Sequence, residues 1–244
     1  MRNQMKNIFL VLALLVVTVE ADEIYAPFTV EAKQSANLAF TTTGIVNNLL
    51  VDISSEVKKG DILVTLDNND LKASLNIAQT RLKYAKKEYN RQVKVKRLLE
   101  ASKFDNFANK YESAKAQLAL QQAMFDKSIL KAPFDGVIYE RLVEVGDAVS
   151  GAMLRTILKI QSISERKLVI DIDQKYWKVL KIGANFRYTL DGDTQEYRGK
   201  VSKIYPFANS KNRKIRAEVE ASDFVVGLFG EGYIEIPNLP NKEN

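Results

Sequence analysis

Apolar and polar residues alternate with two different periods along this chain, and the change of period divides it. Between about residues 70 and 129, Leu71, Leu75, Ala78, Leu82, Ala85, Tyr89, Gln92, Lys96 and Leu99 recur at alternating steps of four and three. Phe107, Tyr111, Ala114, Leu118, Gln121, Phe125 and Ser128 do the same. That spacing is the seam of a coiled coil, so the segment predicts two helices folded back on each other. In an antiparallel pair, facing positions have numbers that add to a constant. Leu82 with Phe125, Tyr89 with Leu118, Lys96 with Tyr111 and Leu99 with Phe107 all add to 206 or 207, which predicts one register and a tip near Lys103 and Phe104. Arms of roughly 30 residues would make a rod about 45 Å long. An ordinary helical pair packed on a globular core fits the same spacing. A narrow seam buries little apolar surface, so the rod is expected to depend on the domain at its base and on neighbouring copies of itself.

On both sides of this segment the period falls to two. Residues 25–32 and 35–40 alternate as half-buried strands do. Gly44-Ile45-Val46 opens a β-stretch that Lys59-Gly60-Asp61-Ile62-Leu63 and Leu66-Asp67 close, with Gly60-Asp61 as a turn signal. Beyond the helices, Pro133 stops the second arm and Asp135-Gly136 turns the chain back into strand. Val143-Glu144-Val145-Gly146-Asp147 then repeats the chemistry of Val57-Lys58-Lys59-Gly60-Asp61. Two similar halves flanking a hairpin suggest an internal repeat closing into one flattened barrel or sandwich. From residue 156 to 236 six or so short strands, with a helical turn over 174–180, predict a compact β-barrel.

Charge and the N-terminus add a compartment. Arg2 and Lys6 precede an apolar run over residues 8–19, and Val19-Glu20-Ala21 has the small residues of a cleavage site. The reading is a secretory signal peptide, because a run of about 12 residues is too short to span a bilayer as a helix. The chain has no Cys, so a lipid anchor on a lipobox cysteine is excluded. The net charge of +6 permits nucleic-acid binding on composition alone, and export argues against it. Between Asp70 and Lys131 there are 14 Lys and Arg against 6 Asp and Glu, either a solvated rod surface or a site for an anionic partner.

Several quoted segments together carry a specific resemblance. Gly44-x-Val46, Val57-Lys58-Lys59-Gly60-Asp61-x-Leu63-x-x-Leu66-Asp67, Ala132-Pro133-Phe134-Asp135-Gly136-Val137-Ile138 and Gly146-Asp147 stand in this order around a hairpin. The halves resemble those of a biotinyl/lipoyl domain. Their separation by a coiled coil resembles the periplasmic adaptors, or membrane fusion proteins, of RND-type and HlyD-like efflux systems. Where that family usually has a glycine six residues before the Lys-Gly-Asp turn, this chain has Ser54-Ser55, which implies a looser or wider loop. The resemblance implies an α+β fold: a split lipoyl-like β-sandwich interrupted by an antiparallel α-hairpin, then a six-stranded β-barrel with one short helix. The expected boundaries are 1–21 signal peptide, 22–40 first strands of the barrel, 41–68 and 132–155 lipoyl-like halves, 69–131 hairpin, 156–236 barrel and 237–244 polar tail. A membrane-proximal domain is expected to be largely absent.

Enzymes and carriers are the rival classes. Without His or Cys, Ser-His-Asp and Cys-His catalysis and ordinary zinc sites are unavailable. Paired carboxylates remain, at Asp191 with Asp193 and at Asp67 with Asp70, all in turn contexts where Asp is expected for backbone reasons. No catalytic residue, metal site or cofactor is expected. A swinging-arm lysine is missing too, because the rod replaces the hairpin that would present it. Soft-metal binding needs Met, His or Cys, and after removal of a signal peptide only Met124 and Met153 remain, which favours drug or amphiphile efflux over copper or silver export.

By resemblance, the protein bridges an inner-membrane RND transporter and a TolC-like outer-membrane channel as a homo-oligomeric ring of six in the periplasm, peripheral to the inner membrane. Arg97 and Leu98 resemble the family's docking pattern, and with Ser102, Lys103, Phe104 and Asp105 they form the expected channel-docking tip. Asp105 or Asn106 is the expected N-cap of the second helix. Arg97 also fits a solvated rod residue. Phe104 is either an exposed ring awaiting a partner or an anchor folded back on Leu99 or Phe107. Gly44, Gly60, Asp61, Asp135, Gly136 and Gly146 are expected to shape the lipoyl-like turns. An adaptor of an ABC-type or type I secretion system, or an exported structural coiled-coil protein, are the alternatives.

Overall fold

The computed structural model describes residues 22–98 and 100–236. The expected signal peptide, the polar tail and seam position Leu99 lie outside these residues. In chain order the strands before the helices are β1 (Asp22–Ala32), β2 (Ser35–Leu38), β3 (Gly44–Leu49), β4 (Glu56–Val57) and β5 (Ile62–Leu66). Helices α1 (Asn69–Lys94) and α2 (Ala101–Asp126) follow, joined through a 3₁₀ turn at Lys96–Leu98. Then come β6 (Ile129–Lys131), β7 (Gly136–Arg141), β8 (Ala148–Val149), β9 (Leu158–Gln161), β10 (Glu165–Asp173), β11 (Asn185–Leu190), β12 (Tyr197–Asn209), β13 (Lys214–Ser222) and β14 (Phe229–Ile236). The chain divides into two compact units, one including Leu168–Ala221 and the other Glu31–Lys167 with Ser222–Val226.

The second unit is a sandwich that carries the helices. One sheet has the order β2-β9-β7-β4 and the other β6-β5-β3-β8. Their inner faces share a core of Leu38, Phe40, Val46, Leu63, Leu66, Ile138, Leu158 and Ile160 among others. Alternation explains which residues enter it, since Ile138 is fully buried while its neighbour Tyr139 is 40% exposed. Two strands expected in the barrel belong here. Ser35–Leu38 pairs with Leu158–Gln161, and the latter also pairs with β7. A four-residue strand of period two fits either sheet, and the apolar side chains of Leu38, Leu158 and Ile160 close this core rather than the other.

The internal repeat is real at the level of hydrogen bonds. The Lys58 N–H donates to Asp61 Oδ2 at 2.8 Å, and the Glu144 N–H donates to Asp147 Oδ2 at 2.9 Å. Gly60 N–H meets the Ala132 carbonyl and Gly146 N–H the Val46 carbonyl, at 2.8 and 2.9 Å. Gly60 and Gly146 sit at φ of 92° and 95°, a conformation that only glycine takes without strain. Each half thus builds its turn against the opposite half.

The expected looseness before this turn is corrected by the structure. Asp52 to Ser55 form a closed turn: the Ser55 N–H donates to the Asp52 carbonyl at 3.0 Å and the Asp52 N–H to Ser55 Oγ at 2.9 Å. Ser54 occupies the left-handed region at φ 69° and its N–H donates to the Ile138 carbonyl at 2.8 Å. The backbone keeps the glycine conformation and serine bears its cost.

The other unit is a closed six-stranded barrel in the order β1-β10-β13-β12-β11-β14. Its core is lined by alternate residues such as Ile24, Phe28, Ile170, Phe186, Val219 and Ile234. Phe28 meets Phe186 and Tyr188 edge-on at 5.9 and 5.4 Å. Gly232 makes room for them, since a Cβ there would fall 2.5 Å from the Phe186 ring. The helical turn expected over 174–180 is a single 3₁₀ turn, Gln174–Tyr176, whose N-cap Asp173 accepts from the Lys175 N–H at 2.9 Å.

Candidate functional site

The hairpin is fixed at its base by the sandwich. The Leu66 N–H donates to the Ser128 carbonyl at 2.9 Å, and Asn68 Nδ2 donates to Ser128 Oγ at 3.0 Å. The chain enters α1 and leaves α2 through one hydrogen-bonded junction, with Ser128 completely buried. At 1.5 Å per residue, two helices of 26 residues reach about 39 Å from it.

Their register differs from the expected one by a heptad. Tyr89 stacks on Tyr111 with centroids 5.2 Å apart, and Lys96 Nζ lies 4.5 Å above the Phe104 ring, so facing numbers add to 200 rather than 207. A seam that repeats every seven residues scores equally in either register. The base decides: with Ser128 tied to Leu66 and Asn68, the midpoint of the intervening chain falls near residue 97. The tip is accordingly at residues 95–100 and not at Lys103 and Phe104.

This moves the expected docking residues apart. Arg97 and Leu98 lie in the 3₁₀ turn of the tip itself, with Arg97 exposed. Ser102 and Lys103 stand in the first turn of α2, where Ser102 Oγ donates to Glu100 Oε1 at 3.0 Å and Lys103 Nζ lies 4.0 Å from Glu100 Oε2. Asp105 is exposed two positions further on. The N-cap of α2 is Glu100, without a side-chain cap bond, in place of the expected Asp105 or Asn106. Phe104 is 9% exposed, so it is not a free ring. It folds inward against Tyr89 at 5.7 Å, under the Lys96 ammonium. Lys96, expected on the seam opposite Tyr111, instead covers Phe104, and Glu100 is a tip residue that sequence reasoning left out; both roles follow from the register.

Behind the tip the interior is thin. Leu75 and Ala78 are the buried residues of α1, and Phe104 that of α2, among those described. Ile77, Tyr84, Leu120 and Met124 are 42–62% exposed along the arms. A shallow groove of about 810 Å³ runs between the helices, lined by Arg81, Tyr84, Asn109, Lys110, Ser113 and Gln117 among others. Glu88 is held below the usual carboxylate range, first by the Gln92 amide at 2.7 Å and then by Arg91. An arm with this composition has surface left for partners.

In the sandwich the expected turn residues converge. The Asp135 carboxylate accepts from the Lys59 N–H at 2.7 Å, beside the Gly60-Asp61 turn. Gly136 lies in β7 where a Cβ would fall 2.5 Å from the Gln161 carbonyl oxygen, and Gly44 opens β3 opposite Val149. These six residues shape the scaffold and do not meet the hairpin tip, about 39 Å of helix away.

Two of the four carboxylates weighed for catalysis accept hydrogen bonds from residues two to four positions on. Asp193 accepts from the Gln195 N–H at 3.0 Å and from the Tyr197 hydroxyl at 2.8 Å. Asp67 accepts from Asn69 Nδ2 at 3.0 Å. Among the described residues no group of three or more His, Cys, Asp or Glu could hold a metal ion, and no helix is long and apolar enough to cross a membrane.

No family model matches the chain. A protein of Haemophilus influenzae described as uncharacterized is 26% identical over 221 residues, covering 87% of this chain and 57% of the relative. The cobalt-zinc-cadmium resistance protein CzcB of Cupriavidus metallidurans is 24% identical over 204 residues, covering 76% and 39%. The chain therefore spans about half the length, or less, of these curated relatives. Among solved structures, a MacA-MexA chimera carrying the Pseudomonas aeruginosa MexA α-hairpin superposes with a TM-score of 0.80 at 19% identity, covering 88% of this chain and 81% of that one. The membrane fusion protein Spr0693 of Streptococcus pneumoniae superposes at 0.69 with 16% identity, covering 87% and 98%. With its hairpin set into a split sandwich and its strands closed into a six-stranded barrel, this chain has the fold of the periplasmic adaptors, or membrane fusion proteins.

Proposed function

We propose that the protein is the periplasmic adaptor of a tripartite efflux pump, joining an inner-membrane transporter of the RND class to a TolC-like outer-membrane channel. The observation that carries this is the hairpin. A scaffold of two interlocked halves holds two 26-residue helices by a single buried junction, and those helices expose apolar side chains that their own interior does not use. Such an element serves contacts rather than chemistry. Copies of the chain, six in the assembled pump, enclose a conduit, and the tip around Arg97 and Leu98 engages the channel while Ser102, Lys103 and Asp105 flank it.

The chain contains no cysteine, so one introduced thiol reports without background. Arg97→Cys and Ser102→Cys are expected to cross-link in cells to an outer-membrane channel, and Asp193→Cys in the barrel is not. Capture of the channel by Asp193→Cys, or of nothing by both tip thiols, overturns the docking assignment.

The cargo has two readings. Drugs or amphiphiles agree with a chain devoid of His and Cys. Divalent cations are favoured by the similarity to CzcB, whose name speaks of cobalt, zinc and cadmium resistance. Growth of a deletion strain on zinc, cobalt and cadmium, against growth on detergents and bile salts, separates them.

A further inference from the structure

A second exposed surface lies on the barrel. The loop from β10 to β11 and the turn from β12 to β13 meet at one end of it: the Gln174 N–H donates to the Arg213 carbonyl at 3.0 Å and the Gly183 N–H to the Val201 carbonyl at 2.7 Å. The start of β1 and the end of β14 lie at the same end, since Asp22 faces Ile236 and Phe186 faces Ile234. Three large apolar side chains project here, Trp177, Ile182 and Phe207, at 63, 68 and 60% exposure. Trp177 borders a shallow depression with Ala208 and Ile215.

The same loops carry Lys175, Lys178, Lys181, Lys211 and Arg213, and Lys214 opens β13 beside them. None of these six makes an ion pair among the described residues, whereas Lys203, Arg216 and Arg187 on the barrel wall bind Glu218, Asp171 and Glu23 at 3.0, 3.2 and 2.6 Å. Lys178 lies 5.6 Å from the Trp177 ring centre and Lys175 4.8 Å from that of Tyr176. Finally, two residues separate the apolar run of residues 8–19 from Asp22. Two or three extended residues span about 10 Å at most, so a membrane holding that run lies beside this end of the barrel during export.

We propose that this end of the barrel rests on an anionic lipid bilayer, with Trp177, Ile182 and Phe207 at headgroup depth and the six cations on lipid phosphates. Indole and lysine side chains suit that depth, each having an apolar body and a polar tip. Trp177 and Ile182 stand on the β10–β11 loop and Phe207 near the end of β12, and all three protrude, which fits shallow insertion into lipid better than the enclosed pocket of a protein hot spot. The inference goes beyond the adaptor reading and does not depend on the partners of the hairpin.

The test uses the only Trp of the chain. The exported protein, purified from the periplasm, is mixed with vesicles of phosphatidylcholine alone or with phosphatidylglycerol added. Trp177 emission is expected to shift to the blue, and to be quenched by acyl-brominated lipid, with the anionic vesicles only. Lys178→Glu with Lys181→Glu is expected to weaken partitioning at least 25-fold, about five-fold per lysine. Phe207→Ser weakens it without removing the fluorophore. Lys83→Glu with Lys86→Glu on α1 makes the same change of net charge and is expected to leave it within two-fold. Variants are compared only where their thermal unfolding matches the parent. No spectral shift with anionic vesicles, an equal shift with neutral ones, an equal loss in the α1 variant, or a shift given only by an acidic periplasmic protein overturns the proposal.

Discussion

Replacing Phe104 by Ala tests how the hairpin tip is held. Phe104 is nine-tenths buried, so truncation forfeits most of the transfer free energy of a phenyl group, about 2 kcal/mol after the Ala methyl is discounted. The contact with Tyr89 at 5.7 Å adds roughly 0.5 kcal/mol, and the Lys96 ammonium 4.5 Å above the ring adds about as much at this exposed position. The sum is about 3 kcal/mol, or roughly a 150-fold rise in local opening. The next buried residues of the arms are Ala78 and Leu75, far toward the base, so little resists fraying once the aromatic cluster is lost. Hydrogen exchange followed by mass spectrometry is expected to show loss of protection in peptides covering residues 84–94 and 104–115, with β10 and β13 of the barrel unchanged. Phe104→Leu keeps most of the volume and should cost about 1 kcal/mol. If both tip peptides of Phe104→Ala exchange within three-fold of the parent, or if the barrel loses protection equally, the tip is not closed by this cluster.

Ser54→Gly is expected to raise stability by roughly 0.5–1 kcal/mol, because a residue at φ 69° sheds the clash of its Cβ, while Ser54→Val should lower it by about 2 kcal/mol; thermal unfolding reads both, and a Gly variant less stable than the parent would refute the strain argument. The Asp193 carboxyl is held below the usual carboxylate range by the Gln195 N–H first and by the Tyr197 hydroxyl second, and that same bond raises the Tyr197 hydroxyl. A depressed carboxylate stabilises above its unfolded pKa of about 3.9 and stops doing so as pH falls through the lower folded value, so the turn at residues 191–197 should loosen only below about pH 4. Amide exchange in that turn measured from pH 3 to 6 checks this, and Asp193→Asn should remove the step.

Several features of this protein are set by chemistry local enough to be legible in the chain. Gly60-Asp61 and Gly146-Asp147 each complete a turn with their own preceding residues, which is why the two halves, and with them the split sandwich, could be recognised. The steps of four and three fix two helices because a seam is a property of each helix alone. The barrel strands are legible through their period of two, as in β10, where Leu168, Ile170 and Ile172 point inward.

What tertiary structure decided are the choices to which a periodic pattern is indifferent. A heptad seam pairs as well seven residues along, and the buried junction of Ser128 with Leu66 and Asn68 picked the register. That choice carried Phe104 from the tip into the interior and left Arg97 outside. Short strands of period two, Ser35–Leu38 and Leu158–Gln161, went to whichever core lacked their side chains. The cluster of Trp177, Phe207 and unpaired cations arises because barrel closure brings residues 174–184 against residues 201–214, segments that no spacing along the chain connects. Local chemistry fixes elements; packing, which joins distant residues, fixes where each element lies and which side chains remain for partners.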